Sequence, residues 1–328
     1  PICLAICSNI KESLPNISKK NSRNFEISLL LGIAYASSIG GMSSLVGTAP
    51  NIVFAGFMQE NYAIEISFID WMKIALPIGL IMLISGFLVL TRYIYPANFE
   101  INHITKKTIN LNLNKLGPMN RDEKKVLVVF LITAFLWVTR TYLKDYNIFI
   151  GLTDAGIAII AAISLFIIPS QNKKTDLLIW DETKKLPWGL LILFGGGLSL
   201  AKAINSSGLG QWLGEAFILA VNLKPWIMVL LIVTFIIFLT ELTSNTATTS
   251  TFLPIAASIA IATSISPLSI AIPLVLASSL AFMLPVATPP NAIVYGSGKM
   301  TIRDMIKAGF ALNIIGIIII TIAYILIF

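Results

Sequence analysis

A run of 57 consecutive residues, from Leu242 to Gly298, contains no Asp, Glu, Lys or Arg. A second run of 33 residues, from Ile27 to Gln59, also lacks these charges. Soluble chains carry about 25% charged residues, whereas this chain carries 12%. A helix of about 20 apolar residues spans the hydrocarbon core of a bilayer. The sequence therefore predicts an all-α polytopic membrane protein.

Shorter uncharged stretches predict the other membrane crossings. They are Ile74–Thr91, Val126–Thr139, Ala155–Asn172, Leu186–Ala201, Pro225–Thr240 and Ala308–Phe328. Most Lys and Arg residues lie in four clusters between the crossings, within residues 11–23, 92–125, 173–185 and 299–307. One arrangement of the crossings places all four clusters on one side, which the positive-inside rule makes cytoplasmic. We therefore expect a multi-pass protein of the cell membrane.

The two long runs must be interrupted, because as continuous helices they would measure roughly 50 and 85 Å. In the first run, Gly40-Gly41 and then Gly47-Thr48-Ala49-Pro50-Asn51 predict the break. Around the second run, we predict a re-entrant hairpin over Pro225–Ala262, with Ser244-Asn245-Thr246 at its tip. A helix over Leu268–Gly298 follows, and we predict that it breaks at Thr288-Pro289-Pro290.

The two predicted breaks share a sequence pattern. Val, Thr, Pro and Asn recur in register in Val46–Val53 and in Val286–Ile293. The predicted topology runs these helices in opposite directions, as in transporters built from inverted repeats. If the repeat extends backward, Pro1 corresponds to Pro254. We then expect a preceding segment with another Ser-Asn-Thr about ten residues before Pro1.

Helix breaks in hydrocarbon free backbone polar groups, which are tolerated only against protein or a water-filled cavity. Freed carbonyls and nearby side chains would supply oxygen ligands suited to Na⁺. The carbonyls are those of Gly47, Thr243 and Ala287, and the side chains are those of Thr48, Thr240, Thr288 and Asn245. Helix N-termini at the breaks would attract an anion. Alternatively, these small residues only pack helices closely.

Other residues argue against several functions. The net charge is +7, and the basic residues lie in short loops between the crossings. Orientation in the membrane explains this placement better than nucleic-acid binding does. His103, the single histidine, lies in a polar loop, which leaves no His-based catalytic dyad or zinc site. We interpret Cys3 and Cys7 as buried packing residues. Glu241, beside the hairpin tip, is a candidate for proton linkage or for supporting the ligands.

Three motifs resemble the divalent anion:sodium symporter family, which includes sodium-dependent dicarboxylate and sulfate carriers. Ser279–Val294 is similar to the family signature, Thr240–Thr248 to its second Ser-Asn-Thr hairpin, and Ser38–Asn51 to its first broken helix. The similarity covers the whole chain. Two departures are Ala49, where proline is more usual, and the absence of a first Ser-Asn-Thr from this chain.

The resemblance implies an inverted-repeat, homodimeric carrier of the elevator type, which binds Na⁺ and a dicarboxylate between hairpin tips and broken helices. The substrate-binding residues would be Ser244, Asn245, Thr246, Thr48, Thr288 and Pro289. One sodium site would include Gly47, and the other would comprise Thr240, Thr243, Asn245 and Ala287. The expected partners are the anion, the bilayer and a second copy. No cofactor is implied, and Na⁺ would be the coupling ion.

We divide the chain into residues 1–98, with the end of the first hairpin and the first broken helix, residues 99–224, with scaffold-type helices, and residues 225–328, with the second hairpin, second broken helix and last span. The leading hypothesis is a sodium-coupled transporter of C4-dicarboxylates such as succinate, malate or fumarate. A dicarboxylate or citrate exchanger, a sodium:sulfate symporter and a channel are alternatives. A membrane-embedded enzyme is disfavoured, since no polar catalytic set lies at membrane depth.

Overall fold

The structure, a computed structural model, describes residues 18–98, 118–143, 153–171, 175–185 and 224–328, with single positions at 7, 199, 203 and 206–208. The named elements in these ranges are all helical, which confirms the predicted all-α class. The α-helices are α1 (Lys19–Met42), α2 (Ala49–Tyr62), α3 (Phe68–Leu88), α4 (Arg121–Leu143), α5 (Asp154–Ile167), α6 (Pro225–Thr240), α7 (Asn245–Ala262), α8 (Pro267–Ser278), α9 (Pro289–Tyr295) and α10 (Ile302–Ile327). A π-helical segment, Val89–Ile94, extends α3, and a 3₁₀ helix covers Trp180–Lys185.

Three helices in the described ranges are long and apolar enough to cross a membrane: α1, α3 with its π-helical extension, and α10. Their outer faces remain apolar. On α3, for example, Ile84 is 61% exposed and Phe87 is 62% exposed. An exposed apolar face of this kind suits lipid or further protein rather than water.

Several predicted crossings agree with observed helices. Ile74–Thr91 lies within α3 and its extension, Val126–Thr139 lies within α4, and Pro225–Thr240 is α6. The crossing predicted over Ala155–Asn172 extends too far, because α5 ends at Ile167. Pro169 lacks an amide hydrogen and disfavours helical geometry at the residue before it. The crossing predicted over Leu186–Ala201 lies almost entirely outside the described residues.

The first long run is interrupted where the second glycine-containing motif lies. Gly40 and Gly41 remain helical, α1 ends at Met42, and α2 begins at Ala49. Residues 43–48 are therefore the first break. Thr48 is the N-cap of α2, with an extended backbone at φ −148° and ψ 148°. Pro50 then lies in the first turn, where a missing amide hydrogen costs no helical hydrogen bond.

The predicted hairpin forms within Pro225–Ala262. Helix α6 ends at Thr240 and α7 begins at Asn245, so residues 241–244 are the hairpin turn. Ser244 is the N-cap of α7. The predicted tip motif therefore spans the junction between the turn and the second arm.

The second break is wider than the predicted Thr288-Pro289-Pro290. Helix α8 already ends at Ser278, and α9 begins at Pro289, so the second break comprises residues 279–288. Neither glycine nor proline marks its start. Within this break, the side chain of Glu241 accepts hydrogen bonds from the backbone amides of residues 282–284.

The two interrupted helices pack against each other crosswise. The second half of the first, α2, packs against α8, which is the first half of the second. In turn, α9 packs against α1. Helix α7 lies along α8 and α2, while α6 contacts α8 and α10. The hairpin and both breaks therefore belong to one packed unit.

Ion pairs fix the ends of the helices. At one end, Arg23 at the start of α1 contacts Asp304 at the start of α10 at 2.8 Å. Elsewhere, the largely buried Arg140 of α4, 2% exposed, pairs with Glu65 at 2.8 Å and with Asp154 at 2.7 Å. The predicted crossing stopped at Thr139 to leave this charge outside. Two carboxylates instead compensate its burial.

Candidate functional site

The two breaks are built alike, residue by residue. Thr288, the N-cap of α9, has φ −141° and ψ 151°, close to the values at Thr48. One or two prolines follow each threonine, and an asparagine occupies the third helical position, Asn51 in one case and Asn291 in the other. The sequence repeat therefore corresponds to a repeat of local backbone structure.

These two asparagines hold the unwound chain against its following helix. Asn51 Nδ2 donates to the carbonyls of Met42 at 3.2 Å and Ser44 at 2.8 Å. Asn291 Nδ2 donates to those of Ala281 at 3.2 Å and Leu284 at 3.1 Å. Both side chains are 0% exposed. The bonds give each break a side-chain donor in addition to its backbone bonds, since the Ser44 and Leu284 carbonyls also accept the amides of Gly47 and Ala287.

The amide oxygens of the same two residues are buried and have no hydrogen-bond partner in the described part of the chain. A buried acceptor without a partner costs about 1–3 kcal/mol. The sequence repeat pointed to these asparagines but assigned them no role. The recurrence of a polar residue at both breaks was the signal that could have identified their role.

Gly47 lies exposed at the first break, directly before Thr48. A Cβ atom here would overlap the carbonyl oxygen of Gly41 and lie 2.6 Å from Ser44 Oγ. Only glycine therefore allows the chain to turn this closely past the end of α1. Thr48 makes no side-chain capping bond, so helix capping does not occupy its hydroxyl.

The hairpin turn is tied to the second break through Thr240. Its Oγ1 atom lies 2.6 Å from Asn245 Oδ1 and 3.0 Å from the carbonyl oxygen of Ser278. Thr240 is 0% exposed. Three neutral oxygens thus meet where the two arms of the hairpin reach the end of α8. Neutral oxygens of this type are ligands that an alkali cation accepts.

The other predicted residues have different surroundings. Thr243 and Ser244 are exposed at the turn, with Thr243 Oγ1 at 2.6 Å from Thr248 Oγ1. Thr246 and Ala287 are buried, Pro289 is exposed, and Thr288 Oγ1 accepts the amide hydrogen of Asn291 at 3.3 Å.

The structure thus joins the hairpin directly to the second break. It connects the first break to the hairpin through the packing of α2 on α7.

Glu241 is the charged group of this region, and its side chain is 3% exposed. It faces the second break and Asn313 of α10, whose Nδ2 donates to Oε1 at 2.7 Å. Asn313 was not singled out in the sequence. It stands in a strongly apolar stretch of α10, and that isolation was the available signal.

Helices that break in an apolar interior and expose neutral oxygens define a membrane protein of the interrupted-helix type. Residues 1–327 match the family described as "Sodium:sulfate symporter transmembrane region". The chain belongs to this family and is a multi-pass membrane protein, which confirms the resemblance of its motifs to the divalent anion:sodium symporters.

Named relatives are bacterial. The chain is 41% identical over 324 residues to "Sodium-dependent dicarboxylate transporter SdcS" of Staphylococcus saprophyticus. It is 40% identical over 324 residues to the protein of the same name from Staphylococcus aureus strain USA300. Each alignment covers 98% of this chain and 62% of the relative. The chain therefore spans less than two thirds of the length of these relatives.

Proposed function

We propose that the protein is a secondary transporter that couples the entry of C4-dicarboxylates, such as succinate, malate or fumarate, to Na⁺. The names of the relatives support both the anion class and the ion. The observation that carries the proposal is the meeting of Thr240, Asn245 and Ser278 oxygens between the hairpin and the second break. This arrangement provides cation ligands without a buried histidine or cysteine.

One sodium site is assigned to Thr240, Thr243, Asn245 and Ala287. The contact of Thr240 with both Asn245 and the end of α8 supports this set, because it places the hairpin beside the second break. Gly47 is assigned to another sodium site at the first break. The equivalent construction of the two breaks supports the assignment, since a carbonyl freed at one has a counterpart at the other.

The dicarboxylate is assigned to Ser244, Asn245 and Thr246 of the hairpin, with Thr48, Thr288 and Pro289 beside them. Exposed Ser244 and half-buried Asn245 lie at the start of α7. Free amide hydrogens and the positive end of the helix dipole there favour a carboxylate. Two bound Na⁺ ions would compensate the remaining negative charge of the substrate.

Residues 1–98 and 225–328 form the moving part in this proposal, and residues 99–224 belong to the static scaffold of a homodimer. The crosswise packing of α1 with α9 and of α2 with α8 supports an inverted repeat. It also supports movement of the hairpin and both breaks as one body, as an elevator mechanism requires.

Sulfate is a second candidate substrate because the family description names it. Vesicles containing the complete gene product distinguish the candidates. We expect labelled succinate to enter empty vesicles only with Na⁺, and unlabelled malate and fumarate to compete better than sulfate. Entry that needs internal succinate would identify an exchanger. Competition by sulfate but not by malate would contradict the dicarboxylate assignment.

Site variants test the assigned residues. Asn245→Ala and Thr288→Ala are expected to lower Na⁺-dependent succinate entry without loss of membrane insertion. Thr139→Ala is a matched control, because its hydroxyl donates to the carbonyl of Phe135 within α4. Unchanged entry kinetics in both site variants would contradict the proposed site.

A further inference from the structure

The carboxylate of Glu241 is surrounded by hydrogen-bond donors. Oε1 accepts from the amide of Phe282 at 2.7 Å, from that of Met283 at 2.9 Å and from Asn313 Nδ2 at 2.7 Å. Oε2 accepts from the amides of Met283 and Leu284, each at 3.0 Å. All five contacts come from N–H groups, so an ionised carboxylate fits them and a protonated one would lose an acceptor.

These bonds replace part of a helix. In a continuous helix, the amides of residues 282–284 would donate to carbonyls four residues earlier. The side chain of Glu241 accepts them instead. A carboxylate that accepts several backbone amides forms charge-assisted hydrogen bonds, which are stronger than neutral ones. Glu241 therefore determines the path of the chain through the middle of the second break.

The same short stretch of the hairpin also holds the start of the break, because Thr240 Oγ1 lies 3.0 Å from the Ser278 carbonyl. Two consecutive residues thus fix positions 278 and 282–284 relative to the hairpin. We call the sodium site assigned to Thr240, Thr243, Asn245 and Ala287 the second sodium site. Its oxygens lie on both sides of this junction, on Thr240 and Asn245 in the hairpin and on Ala287 just beyond the fixed segment.

We propose that Glu241 is the positioning residue of the second sodium site, setting the distance between its hairpin ligands and Ala287. The inference rests on the proposed sodium-coupled function and adds to it a residue that need not touch the ion. Asn313 has a supporting role, because its amide orients Oε1 from the opposite side.

If only the negative charge of Glu241 mattered, Glu241→Asp would behave as the wild type does, so two variants separate that role from positioning. Glu241→Asp keeps the charge but is one methylene shorter, so it cannot reach all three amides and Asn313 together. Glu241→Gln keeps one acceptor oxygen and turns an NH₂ group toward donating amides. Glu60→Gln is the matched control, because Glu60 is exposed near the end of α2.

Hydrogen exchange in the purified complete gene product tests the positioning directly and needs no transport. We expect the amides of residues 282–284 to exchange at least about tenfold faster in Glu241→Gln than in Glu60→Gln, since charge-assisted bonds protect them. Equal exchange rates in the two variants would overturn the inference. If wild-type vesicles fail to take up any anion with Na⁺, the proposed function fails while the exchange result still decides the role of Glu241 in the break.

Sodium activation of succinate entry tests the link to the ion. Glu241→Gln is expected to raise the half-saturating Na⁺ concentration by about tenfold, with a smaller effect on the maximal rate. Glu241→Asp should resemble Glu241→Gln. Wild-type sodium activation in either variant would contradict the positioning role.

A second variant covers the case in which Glu241→Gln does not fold. Asn313→Leu removes one donor to Oε1 and leaves the carboxylate in place. We expect faster exchange at residues 282–284 and a higher half-saturating Na⁺ concentration, both by a smaller factor of about three. An unchanged Asn313→Leu protein would overturn the arrangement.

Discussion

Gly309 of α10 should be intolerant of any side chain, because the helix touches the backbone of the second break there. A Cβ atom at Gly309 would overlap the carbonyl group of Phe282 and the Cα atom of Met283. Backbone atoms cannot rotate away as a side chain can. An added methyl group in a well-packed interior costs about 1–3 kcal/mol, and this contact belongs at the upper end.

Gly309→Ala also gains helix propensity of about 1 kcal/mol, which leaves a net destabilisation of about 2 kcal/mol. Two other glycines serve as comparisons for the destabilisation expected at Gly309. A Cβ at Gly40 finds no atom within 4 Å, and one at Gly316 lies 2.6 Å from the side-chain atom Leu280 Cδ1. We therefore expect Gly40→Ala to be neutral or stabilising and Gly316→Ala to be intermediate.

The assay is the thermal unfolding midpoint of the complete gene product in detergent, followed by intrinsic fluorescence. A destabilisation of about 2 kcal/mol should lower the midpoint by roughly 2–3 °C in a protein of this size. Gly309→Ala should also slow succinate entry, because the displaced segment contains residues 282 and 283. Equal midpoints for Gly309→Ala and Gly40→Ala would refute the close approach of α10 to the second break.

Four further substitutions test other contacts. Thr240→Val removes the one hydroxyl proton that Asn245 Oδ1 and the Ser278 carbonyl oxygen share, an interaction worth about 1 kcal/mol, and should slow succinate entry at limiting Na⁺ about fivefold; an unchanged rate would argue against the hairpin junction. Asn51→Asp and Asn291→Asp cannot donate to the carbonyls of their breaks, and entry assays should show similar losses of at least about tenfold; a loss confined to one variant would contradict their equivalence. Arg140→Gln leaves the Asp154 carboxylate without its cation and should cost about 3 kcal/mol, visible as a lower unfolding midpoint; an unaltered midpoint would contradict the ion pair.

The hairpin and the first break could be predicted from sequence because local chemistry marks them. Thr48 and Pro50 bring their own backbone preferences, and the hairpin turn is bounded by residues that favour helix starts. Glycine at position 47 is required by the close passage beside Gly41. In these places the short-range signal and the tertiary structure agree.

The width of the second break could not be predicted, because the hydrogen-bond partner of its middle residues lies far away in the sequence. The amides of residues 282–284 leave the helix to bind Glu241, about 40 residues earlier. The prediction ended the crossing at Thr139 and so left Arg140 outside it, because the partners of Arg140 are also distant in sequence. Its burial depends on ion pairs with Glu65 and Asp154, and the residues around Arg140 in the sequence do not predict these partners.

The assignment of substrate and sodium residues stays a prediction from the family resemblance. The contacts add a reason to group the hairpin residues with the second break, since Thr240 lies within hydrogen-bonding distance of Asn245 and of the end of α8. The exposed positions 243 and 244 at the turn suit contact with a mobile ligand.

Sodium entry measured together with succinate entry tests the central claim most directly. Vesicles containing the complete gene product are given labelled Na⁺ and succinate, with Thr240→Val measured in parallel. Our account predicts that succinate stimulates Na⁺ entry in the wild type and that Thr240→Val lowers both fluxes together at limiting Na⁺. Succinate entry without any accompanying Na⁺ entry would contradict it.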